Sequence, residues 1–264
     1  MISPVRSFFV GQLFVRVYAS KAEMGRAAAA EATEIIRAAI LRRNLARLLI
    51  GTGPSQQEVV ESLAQSQGVD WHRVELFHLD EYVGMAPTHP ASFRLWLKTH
   101  LADLARPGAV HYLEADAPDL ERECRRYADL LAARSIDIAF LGFGENGHVA
   151  FNDPHVADFH DPLPIKRVVL DERCRMQQVG EGHFKNLEEC PREAITLTCP
   201  SLFRAEHLIC SVPDLRKAEA VRNALDGPVS EVCPASLVRM HPSAKLFLDM
   251  DSASLLRELT QQDF

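Results

Sequence analysis

Apolar and polar positions follow two rhythms that take turns along this chain. In LFVRVYA (13–19), Leu13, Val15 and Val17 recur at every second position, the period of a strand. In KAEMGRAAAAEATEIIRAAILRR (21–43), Ala, Ile and Leu fall at helical spacing with Glu and Arg between them. ARLLIGTG (46–53) is a buried strand ending in glycines, and PSQQEVVESLAQSQ (54–67) opens a helix with Pro54 and Ser55 at its start. RVELFHLDEY (73–82) predicts one strand with polar residues gathered at its carboxyl end. HPASFRLWLKTHLADL (89–104) and DLERECRRYADLLAARS (119–135) predict helices, the second running into the apolar strand IDIAFLGFG (136–144). Beyond Pro154 the rhythm is weaker. IKRVVLD (165–171) reads as a strand and ERCRMQQVGEGHF (172–184) as a short helix dissolving into a loop. The strands EAITLTC and HLICSVP, the helix DLRKAEAVRNALDG and a last strand AKLFLDM complete the chain.

Strands alternating with helices predict an α/β fold, one doubly wound and mostly parallel sheet with helices on both faces. No repeat, low-complexity stretch or long linker interrupts the pattern, so residues 1–264 are expected to form a single domain. In such sheets ligands collect at the carboxyl ends of strands, near the switch in strand order. Three of these ends carry chemistry: GTGPS (51–55), HLDEY (78–82) and GFGENGH (142–148). Lys217 adds a fourth, at the start of the helix after HLICSVP.

Charge and composition narrow the partners. The formal net charge of -7 argues against nucleic acid, which wants clustered Lys and Arg. No stretch approaches the length of a membrane-spanning helix, and the first apolar run is broken by Gln12 and Arg16, unlike a signal peptide. The six cysteines include no C-x-x-C pair, which predicts reduced thiols and a cytoplasmic setting.

Gly142, Gly144 and Gly147 match G-x-G-x-x-G, the dinucleotide fingerprint. That fingerprint needs a helix directly after it, whereas Asn152, Asp153 and Pro154 break the chain within eight residues. The glycines are therefore expected to shape a tight turn and no dinucleotide is expected. His148 can act as acid and base near neutrality, and Asp153 five residues on can orient it; the alternative is a His capping loop carbonyls and an Asx-turn before Pro154. Asp80 and Glu81 point to opposite sides of an extended chain, so at most one faces a site, and burial can raise its pKa into the range of a general base. Gly51, Thr52, Gly53 and Ser55 form a small-residue cradle before a helix N-terminus, suited to a sugar phosphate. It lacks the Lys of a nucleoside triphosphate loop, but Lys217 can supply a counter-charge. His155, Asp158, His160 and Asp161 crowd one short loop without the spacing of a zinc site, and no metal is expected.

Together these motifs resemble the glucosamine-6-phosphate deaminase (isomerase) family over essentially the whole chain. The motifs that carry the resemblance are GTGPS, FHLDEYVG with HPASF, LGFGENGHVAFNDP, RKAEAV and PASLVRMHP. The resemblance implies a modified Rossmann-like α/β sandwich without a nucleotide, and conversion of an amino-sugar phosphate, glucosamine 6-phosphate, to fructose 6-phosphate and ammonia with no cofactor. It implies that Asp80 moves a proton between the first two carbons of the open-chain sugar and that His148 opens the ring. Asp153 stands where the family usually has Glu, and Asn146 where members have Asp or Asn. Thr52, Gly53 and Ser55 match the phosphate loop, and Lys217 the phosphate-binding Lys. The family's phosphate arginines fall near Pro164 and Gln178, leaving Lys166, Arg167, Arg173 and Arg175 as candidate replacements near a lid-like segment around 160–190. Asp153, a methylene shorter than Glu, needs a different backbone position or a water to reach His148. Two alternatives stay open, lactone hydrolysis as in the related 6-phosphogluconolactonases and a non-catalytic sugar-phosphate sensor. So does a homo-oligomeric state.

Overall fold

The apolar runs become strands, and the strands divide between two sheets. A computed structural model describes residues 2–256. Its strands are β1 (Arg6–Val10), β2 (Leu13–Tyr18), β3 (Ala46–Ile50), β4 (Val74–His78), β5 (Asp80–Tyr82), β6 (Ala109–His111), β7 (Ile138–Leu141), β8 (Ile165–Val169), β9 (Glu193–Leu197), β10 (His207–Val212) and β11 (Ala244–Asp249). Its helices are α1 (Lys21–Arg43), α2 (Gln57–Ala64), α3 (Phe93–Leu97), α4 (Asp103–Ala105), α5 (Leu120–Ala132), α6 (Glu172–Gly180), α7 (Cys199–Leu202) and α8 (Ala218–Asp226).

The main sheet has the order β1-β2-β11-β10-β7-β3-β4-β6. It is parallel except for the β1–β2 hairpin, which adds residues ahead of the first expected strand to the sheet. All five residues of β3, ARLLI, are buried, as a strand covered on both faces requires. One apolar core contains Leu49, Phe77, Leu141 and Leu246, and a second contains Ile36, Leu48, Ile50, Phe140 and Phe247. Adjacent residues of one strand thus enter different cores, the alternation of a pleated strand. α1 supplies Ala28, Ala32 and Ile36 to the second core; it starts at Ser20, whose side chain accepts from Glu23 N, and stops at Asn44 in the left-handed region.

From β3 the chain builds outward through β4 and β6, and from β7 it builds the other way through β10 and β11. The loops after the neighbouring strands β3 and β7 therefore diverge, opening the crevice in which such sheets bind ligands.

The strand expected over 73–82 is split. The chain leaves the main sheet after His78, and Asp80–Tyr82 pairs antiparallel with β9 in a second sheet of order β5-β9-β8. His78 fastens the break. Its buried Nε2 accepts from Leu113 N at 2.8 Å, so Nδ1 carries the proton and donates to Asp80 O at 2.9 Å. Burial pushes the His78 pKa down to about 4, so the ring is neutral. Tyr82, Phe93, Phe151 and Phe184 pack ring to ring in a third cluster, which also takes Val168 from β8 and Cys174 from α6.

Candidate active site

The diverging loops leave a cleft with about 580 Å³ of empty space, its mouth included. Gly51, Thr52, Gly53 and Ser55 line one wall; Asp80, His148 and Lys217 line others. Four segments distant in sequence thus meet at one rim, because β3, β4, β7 and β10 end there. Asn146 and Asp153 stand behind His148 instead of lining the cleft.

Asp80 and Glu81 part as the extended chain predicts. Asp80 faces the cleft, and burial first, then the Glu81 charge, raises its pKa well above the usual carboxylate range. Glu81 is fully buried on the other side, accepting from Ser92 Oγ at 2.7 Å and Arg94 N at 3.0 Å, with Arg94 Nε 3.6 Å away. It holds β5 in place and leaves Asp80 as the carboxyl of the pair that lines the cleft.

The three glycines of the fingerprint allow close packing, of Gly142 on Ser55 and Gln56, of Gly144 on His148 and of Gly147 on Cys233. A Cβ on Gly144 would collide with the His148 ring, which lies flat on that backbone. Gly147 has φ +84°, and a Cβ there would meet Cys233 Sγ at 2.7 Å. After His148 the chain turns straight back through Val149–Asn152, with Ala150 at φ 50° and Asn152 Nδ2 donating to Val149 O and Leu197 O. This turn delivers Asp153 Oδ1 to within 2.9 Å of His148 Nδ1. The shorter carboxylate thus reaches His148 directly, with no room for a water between the two atoms.

Asp153 is buried and well supplied with donors. Oδ1 also accepts from Asn146 Nδ2 at 2.9 Å, and Oδ2 from Asp171 N at 3.3 Å. The Cys174 Sγ lies within 4.8 Å of the same carboxylate. Burial pushes the Asp153 pKa up, but the hydrogen bond and charge of His148, with Asn146 and Asp171 N, outweigh it and hold the pKa below the ordinary value. Asn146 Nδ2 also donates to Asp171 Oδ2 at 3.1 Å, and Asp171 caps α6 by accepting from Cys174 N at 2.5 Å. The imidazole, its carboxylate and the start of α6 are therefore one network.

α6 supplies what the sequence reading missed. Gln177, Gln178, Glu181 and His183 line the cleft beside Phe93, Phe143 and Phe151. Gln178 Oε1 accepts from the buried Tyr82 hydroxyl at 2.6 Å, and Gln177 Oε1 from Glu145 N at 2.9 Å. The four candidate replacement cations do not line the cleft. Lys166 pairs with Asp161 at 2.7 Å, and Arg167 with Glu193 at 2.5 Å. Arg173 bonds Glu145 O and Glu219, and Arg175 bonds the carbonyls of Leu187 and Cys190. Pro164 lies in a separate groove against α5, while Gln178 does face the cleft.

Among the described residues, two sets of donor atoms lie close enough for a metal ion, His148–Asp153–Cys174 and Asp153–His155–Asp171. In the first, His148 Nδ1 and Asp153 Oδ1 already face each other at 2.9 Å; in the second, His155 Nε2 is 2.9 Å from Val169 O. Asp158 and His160, expected to crowd with His155, belong to neither set. No helix among the described residues is long and apolar enough to cross a membrane.

The profile of the family described as glucosamine-6-phosphate isomerases/6-phosphogluconolactonase matches residues 19–247. The chain belongs to that family. It is 34% identical over 232 residues to a glucosamine-6-phosphate deaminase of Arthrobacter sp. (strain FB24), covering 86% of this chain and 87% of the relative. It is 35% identical over 214 residues to a glucosamine-6-phosphate deaminase of Exiguobacterium sibiricum, covering 79% and 81%. Among solved structures, a monomeric glucosamine-6-phosphate deaminase of the NagB superfamily superposes with a TM-score of 0.83 at 26% identity, covering 91% of this chain and 99% of that one. A 6-phosphogluconolactonase from Trypanosoma brucei gives a TM-score of 0.75 at 17% identity, covering 92% and 98%, a likeness of fold alone. The parallel sheet of this family member thus has its modified Rossmann-like architecture, with the β5-β9-β8 sheet beside it.

Proposed function

We propose that this chain is a glucosamine-6-phosphate deaminase, converting that substrate and water to fructose 6-phosphate and ammonia. The observation that carries the proposal is the meeting of Asp80 and His148 in one cleft with the Gly51–Ser55 loop and Lys217. The phosphate sits on the loop's backbone N–H groups at the start of the helical segment from Pro54, with Lys217 as counter-charge. His148, oriented through Nδ1 by Asp153, takes the proton of the anomeric hydroxyl and returns one to the ring oxygen, opening the ring.

Asp80 then removes the proton from C2 of the open aldose and delivers it to C1, while O1 gains the proton that the amine gives up, leaving the nitrogen doubly bonded to C2. Water adds at C2 and one of its protons passes to nitrogen; the C–N bond then breaks as the C2 hydroxyl gives up its proton to the departing nitrogen, leaving the ketone and ammonia. A raised pKa suits Asp80 to this shuttle, because the carboxyl must both accept and return a proton. The relatives named as deaminases support the reading. Incubation with glucosamine 6-phosphate and with 6-phosphogluconolactone tests it. Ammonia release is the expected result, and lactone hydrolysis alone, or binding without turnover, overturns it.

A further inference from the structure

Among the described residues lining the cleft, Lys217 is the one Lys or Arg, and it already has a partner. Its Nζ lies 3.3 Å from Glu181 Oε1, with the two side chains 4% and 9% exposed. Gln177 Nε2 donates to the same oxygen at 2.9 Å, and His183 Nε2 stands 3.7 Å from the other. Burial lowers the His183 pKa, so at neutral pH the ring is uncharged and the cation facing this carboxylate is Lys217.

Glu181 is badly placed by local rules. It caps the carboxyl end of α6, where the helix dipole opposes a negative charge. Gly182 follows at φ +82°, a left-handed conformation that glycine adopts without strain and that ends the helix directly after Glu181. What holds the carboxylate in the cleft is its contact with Lys217 and Gln177. A carboxylate accepting from a buried lysine and an amide presents what a phosphate would present.

We infer that Glu181 occupies the phosphate's place on Lys217 in the free enzyme, and that a phosphate-bearing substrate binds by displacing it. The inference rests on the Gly51–Ser55 loop and Lys217 being the phosphate site of the function proposed above. Glu181 is then a specificity-determining residue for the end of the substrate remote from the reacting carbons. A phosphate dianion and an ionised Glu181 cannot share Lys217 at close range without strong repulsion. Loss of that competition raises affinity for any phosphate at the site.

The test is E181Q, which keeps the shape and the contact with Gln177 and removes the charge, with E181A as a second variant should E181Q not fold. Binding of inorganic phosphate is measured by calorimetry and as competitive inhibition of glucosamine 6-phosphate turnover. Phosphate is expected to bind about tenfold tighter to the variant, with KM for glucosamine 6-phosphate falling in the same direction. Unchanged or weaker phosphate binding in a folded variant overturns the inference, even where turnover of the amino sugar is normal. Tighter phosphate binding without turnover by either protein upholds it and removes the deaminase proposal instead.

Discussion

Asp153 Oδ1 lies 2.9 Å from His148 Nδ1, and the carboxylate is shut off from solvent while the imidazole faces the cleft. A carboxylate at that distance favours a proton on Nδ1 by its charge, leaving Nε2 as the nitrogen free to exchange with a ligand.

Replacing Asp153 with Asn keeps the size and removes the charge. The His148 ring loses its preference for the productive tautomer, and kcat is expected to fall by about 10² to 10⁴, the scale of positioned acid–base catalysis. KM for glucosamine 6-phosphate should change little, because Asp153 does not line the cleft. Steady-state kinetics separate the two, and a near-native kcat would remove Asp153 from this role.

Asp80→Asn is expected to abolish turnover and to stabilise the fold. The raised native pKa of Asp80 lies above its unfolded value of about 3.9. As pH rises the unfolded chain releases this proton first, so the group favours folding below about pH 4 and loses that contribution as pH climbs through the raised native value. Asn carries no such penalty. Thermal unfolding should show a higher Tm for the variant at neutral pH, by roughly 2–4 °C for each kcal/mol recovered, with the gap closing toward pH 4. A gap that widens on acidification would contradict the assigned direction.

Tyr82→Phe deletes the hydroxyl that donates to Gln178 at 2.6 Å and leaves a buried amide oxygen without that donor. A loss of about 1–3 kcal/mol in stability is expected. The same bond ties Gln178, which lines the cleft, to β5, so KM should rise while kcat stays within a small factor. Denaturant titration and kinetics on the one variant check both effects.

The major elements were legible because burial imposes a period on sequence. An ARLLI that is apolar but for Arg47 and an Ala-rich helix face have few alternatives. The break at Leu79 was not legible, since RVELFHLDEY has one continuous strand pattern and only the partners of His78, from Leu113 and Asp80, show why it leaves the sheet. In the site, Asp80, His148 and Lys217 stood out because they end strands or open helices. Glu181 did not, because its meaning lies in Lys217, 36 residues away. Gln177, Gln178 and Glu181 do share the i, i+1, i+4 spacing of one helix flank, a local signal that the weak period of ERCRMQQVGEGHF obscured.

Gly144→Ala separates packing from chemistry. The added Cβ would fall inside van der Waals contact of ring atoms Cε1, Nε2 and Nδ1 of His148 and would meet no backbone so closely. The backbone at Gly144 has no positive φ to strain, so the ring, being the movable party, must shift. A His148 displaced in this way loses its 2.9 Å contact with Asp153 and its position over the cleft. Tm is expected to stay within a few degrees of the parent while kcat drops at least about 10²-fold. A crystal structure of the variant should show His148 in a new rotamer with the Val149–Asn152 turn unchanged. Full activity with a displaced ring would mean that the imidazole is not the group that opens the sugar.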